Sequence, residues 1–226
     1  MCKMNSERVK IHMKKDLVEL VFILDRSGSM AGLEKETIAG FNRLIQQQKE
    51  VVGEAIVSTV LFDNGFEVLH NRVNLKQIEP MTEKQYYVRG STALLDAIGR
   101  SILKIRNVHK ALEEENKPEK TLFFITTDGM ENASKEFDYT RIKDYIELQK
   151  EKYNWEFIFM GANIDAIKTA SRFGIHEDRA VQYHSDEQGT NLNYRVMSET
   201  IRDLRVNKTI KEDWKSDIDK DYLNRK

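Results

Sequence analysis

"ELVFILDRSGSMAG" (residues 19–32) is the stretch on which the reading of this chain turns. An apolar run ends in Asp25, and Ser27 and Ser29 follow at alternate positions. A strand that runs into a turn needs one polar stop. Three oxygen side chains at i, i+2 and i+4 ask for a further reason. Gly28, between the serines, relieves the backbone so that both hydroxyls can face one centre.

Outward from that stretch, apolar runs suited to buried strands alternate with helical patterns. The run "LVELVFIL" (17–24) reads as the first strand, with a helix over 33–49. "EAIVSTVLF" (54–62) and "FEVLH" (66–70), joined by the turn signal "DNG" (63–65), predict a hairpin with the return strand at a sheet edge. Residues 91–112 place Leu94, Leu95, Ile98, Ile102 and Ile105 on one helical stripe. A strand at 121–127, a helix at 139–151, a strand at 155–162 and a helix at 164–173 follow. A strand at 180–184 and a last helix at 188–206 complete the alternation.

This order predicts an α/β fold: a doubly wound, mostly parallel sheet with helices on both faces and one antiparallel edge strand. Residues 15–206 form one domain in this reading. A charged segment (1–14) precedes it, and a charged tail (207–226) with one Trp follows, expected as a loosely docked helix or a solvated stretch.

In an open parallel sheet, ligands bind beyond the carboxyl ends of the strands, where the connections change sides. Asp25 ends the first strand, and Asp128 stands at the same end of another buried strand in "FFITTDGMEN" (123–132). Thr92 lies in a loop at that rim, after Gly90 and Ser91. Asp25, Ser27, Ser29, Thr92 and Asp128 would then surround one hard divalent cation. The small, hydroxyl-rich set suits Mg²⁺, with Mn²⁺ or Ca²⁺ as alternatives, and no Cys or His stands nearby for zinc.

Each residue also has a plainer use. Thr92 or Ser91 would cap the following helix, Asp128-Gly129 is a common turn dipeptide, and Asp63 and Asn64 serve the hairpin turn. Asp96 is either a support for the site or a charge on the first turns of its helix. The joint order outweighs these readings: strand then D-x-S-x-S, loop then Thr, strand then Asp-Gly.

The remaining composition narrows the function. The chain has 226 residues, 40% of them hydrophobic, with 36 basic against 37 acidic side chains. That balance gives no bulk electrostatic case for nucleic acid or an anionic membrane. A single cysteine, Cys2, and an N-terminus without an apolar leader point to a cytoplasmic protein, and no run is long enough to span a bilayer.

At "FILDRSGSM" (22–30), "GSTALLDAIGRSI" (90–102) and "FFITTDGMEN" (123–132), the chain resembles von Willebrand factor type A domains with a complete metal-ion-dependent adhesion site. The element order extends the resemblance over about 15–206, and "S-G-S-M" is nearest the small stand-alone bacterial cytoplasmic members. The resemblance implies that Ser27, Ser29 and Thr92 bind the metal, with Asp25 and Asp128 direct or through water. It further implies a protein partner whose Glu or Asp completes the metal shell, and no catalysis. The rival is a Mg²⁺-dependent hydrolase or phosphatase with Asp25 as nucleophile. Such enzymes carry a second Asp two residues on as general acid, and Ser27 stands there instead. The five histidines follow no triad motif, and no P-loop occurs.

Overall fold

Strand β1 (Lys14–Asp25) occupies the interior of a six-stranded sheet in the computed structural model, which describes residues 14–225. Of the charged segment 1–14, residues 1–13, with Cys2, lie outside the described residues. The sheet order is β3-β2-β1-β4-β5-β6, built from β2 (Glu54–Phe62), β3 (Phe66–Asn74), β4 (Pro118–Thr127), β5 (Glu156–Gly161) and β6 (Ala180–Gln182). All pairings are parallel except β2 with β3, so the expected antiparallel edge is present.

Burial on both faces explains why the central strands are apolar without alternation. Leu20, Phe22 and Leu24 of β1 face one core, and Val21 and Ile23 face the other. The first core packs under α1 (Glu34–Lys49), α5 (Glu187–Asn207) and α6 (Ser216–Asn224). There Phe22 stacks on Phe124 at 5.9 Å and meets the edge of Phe41 at 5.5 Å. The second core lies under α2 (Leu94–Ala111), α3 (Tyr139–Tyr153) and α4 (Ala166–Arg172), with Phe123 against Phe157 at 4.8 Å. Each such side chain contributes about 1.5–3 kcal/mol on burial, so the two cores hold the sheet from both faces, with Tyr86 and Phe137 of the rim loops packed into them.

Several expectations are corrected. β3 runs to Asn74 rather than stopping at 70, because register shifts opposite Val57, Thr59 and Val60 and a left-handed Arg72 (φ 53°) let it curl along β2. β6 is only three residues long; Tyr183 still donates its N–H to the Gly161 carbonyl at 3.1 Å, but the chain then leaves the ladder. The boundary drawn at 206/207 is not a packing boundary. Ile210, Trp214 and Ile218 join the α1–α5 core, and the Trp214 indole donates to the Asp178 carbonyl at 2.7 Å.

The apolar reading of β1 passed over one charge. Glu19 is fully buried and binds Arg72 Nε at 2.8 Å and His109 Nε2 at 2.6 Å. It lies mid-strand, away from the rim.

β1 connects to β2 on one side while β4 flanks it on the other, so the winding reverses between β1 and β4. The loops leaving their carboxyl ends diverge and leave a crevice between them. Asp25 closes β1 and Asp128 follows β4 directly, one on each lip.

Candidate metal centre

Asp25 is 1% exposed. Its Oδ1 accepts the Ser27 N–H at 2.7 Å, and its Oδ2 accepts the Thr127 hydroxyl at 2.7 Å and the Asp128 N–H at 3.4 Å. The Tyr86 hydroxyl donates to the Asp25 carbonyl at 2.6 Å, which fixes the end of the strand. Of the two tyrosines in loop 80–91, Tyr86 therefore packs inward while Tyr87 stands outward between Arg26 and Arg89.

The hydroxyls converge beside this carboxylate. Thr92 Oγ1 donates to Ser27 Oγ at 2.9 Å, and Ser27 Oγ lies 3.1 Å from Ser29 Oγ. Thr92 does not cap α2: the helix begins at Leu94, and its N-cap, Ala93, has no side chain to offer. Thr92 is held instead by Asn132, whose side-chain oxygen accepts the Thr92 N–H at 2.9 Å. Gly28 N–H donates to the Gly90 carbonyl at 3.0 Å and ties the first loop to the second. Gly90 (φ 68°) has no room for a side chain, since a Cβ there would fall 2.0 Å from Asn64 Oδ1.

Asp128 completes the five, also 1% exposed. Its two oxygens accept hydrogen bonds from the Asn163 amide and the Ser185 hydroxyl. These two residues, and Thr127, escaped the sequence reading because they come from loops with no local motif. Asn163 did leave one trace: an Asn after an apolar strand suits the left-handed backbone it adopts (φ 53°). The other rim acids have structural tasks. Asp96 accepts the N–H groups of Lys135, Glu136 and Phe137 and so fastens the loop after Asp128, and Asp63 accepts the Gly65 N–H.

The electrostatics separate this site from Glu19 and Asp63. Burial pushes the Asp25 carboxyl above the ordinary range, against hydrogen bonds that pull it down. Burial raises Asp128 likewise, and the neighbouring Asp25 charge adds to it. Among the described residues, neither carboxylate has a Lys, Arg or His within ion-pairing distance. Glu19 has Arg72 and His109, and Asp63 has Arg26 at 3.0 Å and Arg89 at 2.7 Å.

This donor set fits a hard divalent cation. It is all oxygen, two carboxylates and three hydroxyls, and a +2 ion would supply the charge that the chain withholds. No group of three or more His, Cys, Asp or Glu side chains gathers anywhere among the described residues, so the hydroxyls are what define the site. Gly129 leaves the space open: a Cβ there would stand 3.0 Å from Ser29 Oγ and 3.3 Å from Thr92 Oγ1. Ser29 is exposed at the mouth while Ser27 is buried, so the pocket faces outward.

No protein-family model matches the sequence. No curated protein matches it either. Among solved structures, the chain resembles the vWF domain of the type V pili tip protein Mfa5 from Porphyromonas gingivalis, with a TM-score of 0.57 at 10% identity over 81% of this chain and 94% of that one. It resembles proximal thread matrix protein 1 from the mussel byssus, in a structure with a zinc-occupied MIDAS motif, with a TM-score of 0.56 at 13% identity over 82% of this chain. The ArnB paralog VWA2 from Sulfolobus acidocaldarius gives 0.50 at 23% identity over 82%. The chain spans 46% of the mussel protein and 45% of the archaeal one. At these identities the likeness establishes the fold, which is that of von Willebrand factor type A domains.

Proposed function

We propose that this chain is a von Willebrand factor type A domain that holds a divalent cation at Asp25, Ser27, Ser29, Thr92 and Asp128. Through that ion it binds an acidic side chain of a partner protein. One observation carries the reading: two adjacent buried carboxylates, ringed by three hydroxyls, with no protein cation. Mg²⁺ is the first choice, with Mn²⁺ and Ca²⁺ as alternatives. The zinc-occupied motif of the mussel protein supports a divalent ion at this place in the fold.

When bound, the ion supplies an electrophilic anchor for an external carboxylate. The chain's own residues do the rest. Thr127 and the Ser27 N–H orient Asp25, and Asn163 and Ser185 hold Asp128. The three neutral hydroxyls leave more of the ion's charge for a ligand than further carboxylates would. Exposed Met130 and Tyr87 border the mouth on loops 129–138 and 80–91 and offer the apolar part of an interface.

The same geometry supports a binding role rather than catalysis. Both Asp25 oxygens are engaged, which suits a fixed support better than a nucleophile. Ser27 stands where the phosphatase pattern needs an acid. The histidine nearest along this rim, His184, faces the Tyr222 carbonyl and stacks on the Tyr222 ring. Among the described residues, no helix is long and apolar enough to cross a membrane.

Calorimetric titration of chelator-stripped protein with Mg²⁺ and Mn²⁺, beside a Ser27→Ala/Ser29→Ala variant, tests the reading. Saturable one-to-one binding that the variant loses is expected. Absence of binding to a folded wild-type chain, or equal binding by the variant, overturns it.

A further inference from the structure

A second cavity lies at the opposite end of the sheet from the metal centre. The last turns of α2 and α3, the loop before β4 and the turn after α3 enclose about 320 Å³. That is within the range of small-ligand sites, about 300–1,000 Å³.

Its walls carry Arg106, Lys110, Lys117 and Lys152. Lys117 is neutralised by Glu114, and the cavity's other acid, Glu119, is taken by Lys208. Among the described residues, no carboxylate pairs with Arg106, Lys110 or Lys152. Bases in the last turns of two helices also complement the helix dipoles, and that use accounts for Lys110 and Lys152.

It does not account for Gln149. This side chain is fully buried, yet neither its amide nitrogen nor its amide oxygen has a hydrogen-bond partner, and Arg106 Nε lacks one too. A buried amide unpaired at both ends is costly and calls for an explanation. Free donor and acceptor stand side by side on one planar group, the pattern that pairs with the edge of a nucleobase. Trp155 closes the cavity from the core side, and the half-exposed ring of Tyr153 stands at its entrance.

We propose that this cavity binds a nucleotide, with the base edge on the Gln149 amide and the phosphate among Arg106, Lys110 and Lys152. A change of Gln149 rotamer toward the cavity brings the amide to the ligand. Tyr153 offers the base a stacking face.

The test is calorimetric titration of the full chain with AMP, UMP, adenosine and inorganic phosphate, all in excess chelator. The Ser27→Ala/Ser29→Ala variant runs in parallel, so that binding at the metal rim is read separately. One saturable site is expected for at least one of the two nucleotides, about tenfold tighter than for adenosine or phosphate, and equal in the variant. Lys110→Glu/Lys152→Glu should weaken it about tenfold or more. Gln149→Leu should weaken it similarly while the melting temperature holds or rises, because an unpaired buried amide has been removed. The proposal is overturned if neither nucleotide binds, if phosphate alone binds as tightly, if the serine variant loses the site, or if folded Gln149→Leu binds like wild type.

Discussion

Strand β1 buries two carboxylates, Glu19 in its middle and Asp25 at its end, and the chain treats them in opposite ways. Glu19 receives a guanidinium and an imidazole from β3 and α2. Asp25 receives only neutral donors, a hydroxyl and two N–H groups. Removing a charge from water costs several kcal/mol unless a counter-charge is supplied. Glu19 is therefore complete within the fold. Asp25, with Asp128 beside it, has no counter-charge among the described residues of the fold, and in the proposed reading a cation from outside supplies it. In the proposed reading the difference separates Glu19, a structural acid, from Asp25, an acid of the site.

The sharpest way to break this comparison is to remove each charge in turn. Glu19→Gln strands Arg72 and His109 against a neutral group and should lower unfolding free energy by about 3–5 kcal/mol in denaturant titrations. Asp25→Asn should leave stability in chelator unchanged or raised, because the repulsion with Asp128 is gone, while abolishing Mg²⁺ binding. If Asp25→Asn unfolds the protein and Glu19→Gln does not, the distinction fails.

Acid titration sharpens it next. Asp25 and Asp128 are raised in the folded chain, so in the window between the ordinary value and the raised one the native state holds more protons than the unfolded state. Their contribution to metal-free stability is greatest at low pH and is lost as pH rises through that window. Asp63 is lowered, through Arg89, Gly65 and Arg26 acting against burial, so its contribution is present above the unfolded value and lost as pH falls through the folded one. Thermal melts in chelator across the acid range should show Asp25→Asn removing the first trend and Asp63→Asn the second. Mg²⁺ affinity should weaken as pH falls, since protons compete for the same oxygens.

Smaller effects belong to the supports. Ser185→Ala frees one Asp128 oxygen and should weaken Mg²⁺ binding about 10–100-fold, read by calorimetry, with a near-normal melting temperature. Gly129→Ala crowds Ser29 Oγ and Thr92 Oγ1 and should cost metal affinity with little change in stability. A Ser185→Ala protein with unchanged affinity would show that Asp128 needs no orientation.

Local signals explain what was legible. Asp25, Ser27 and Ser29 share one loop, and Asp128 stands behind an unmistakable buried strand, so the sequence alone brought them to one rim. The alternation of strands and helices likewise gave the winding and the antiparallel edge. Thr92 needed the structure to decide between cap and site, because both uses place a hydroxyl before a helix. Asn163 and Ser185 depend on tertiary placement alone. Glu19 did carry a signal that went unread: a lone acid inside "LVELVFIL" requires a buried counter-charge, and the sequence does not say which Arg or His supplies it. The tail's charge concealed Trp214 and Ile218, two anchors spaced for one face of a helical segment.

The placement of Ser185 has a further consequence for how the molecule is made. The residues that hold or orient the centre run from Asp25 to Ser185, so a nascent chain still short of the β6–α5 loop lacks one of the donors to Asp128. The next residue, Asp186, caps α5 and pairs with Arg225 beyond α6. A chain cut before Ser185 would therefore lack one of the two side-chain donors to Asp128, and in the proposed reading it would hold the ion more weakly than the full domain.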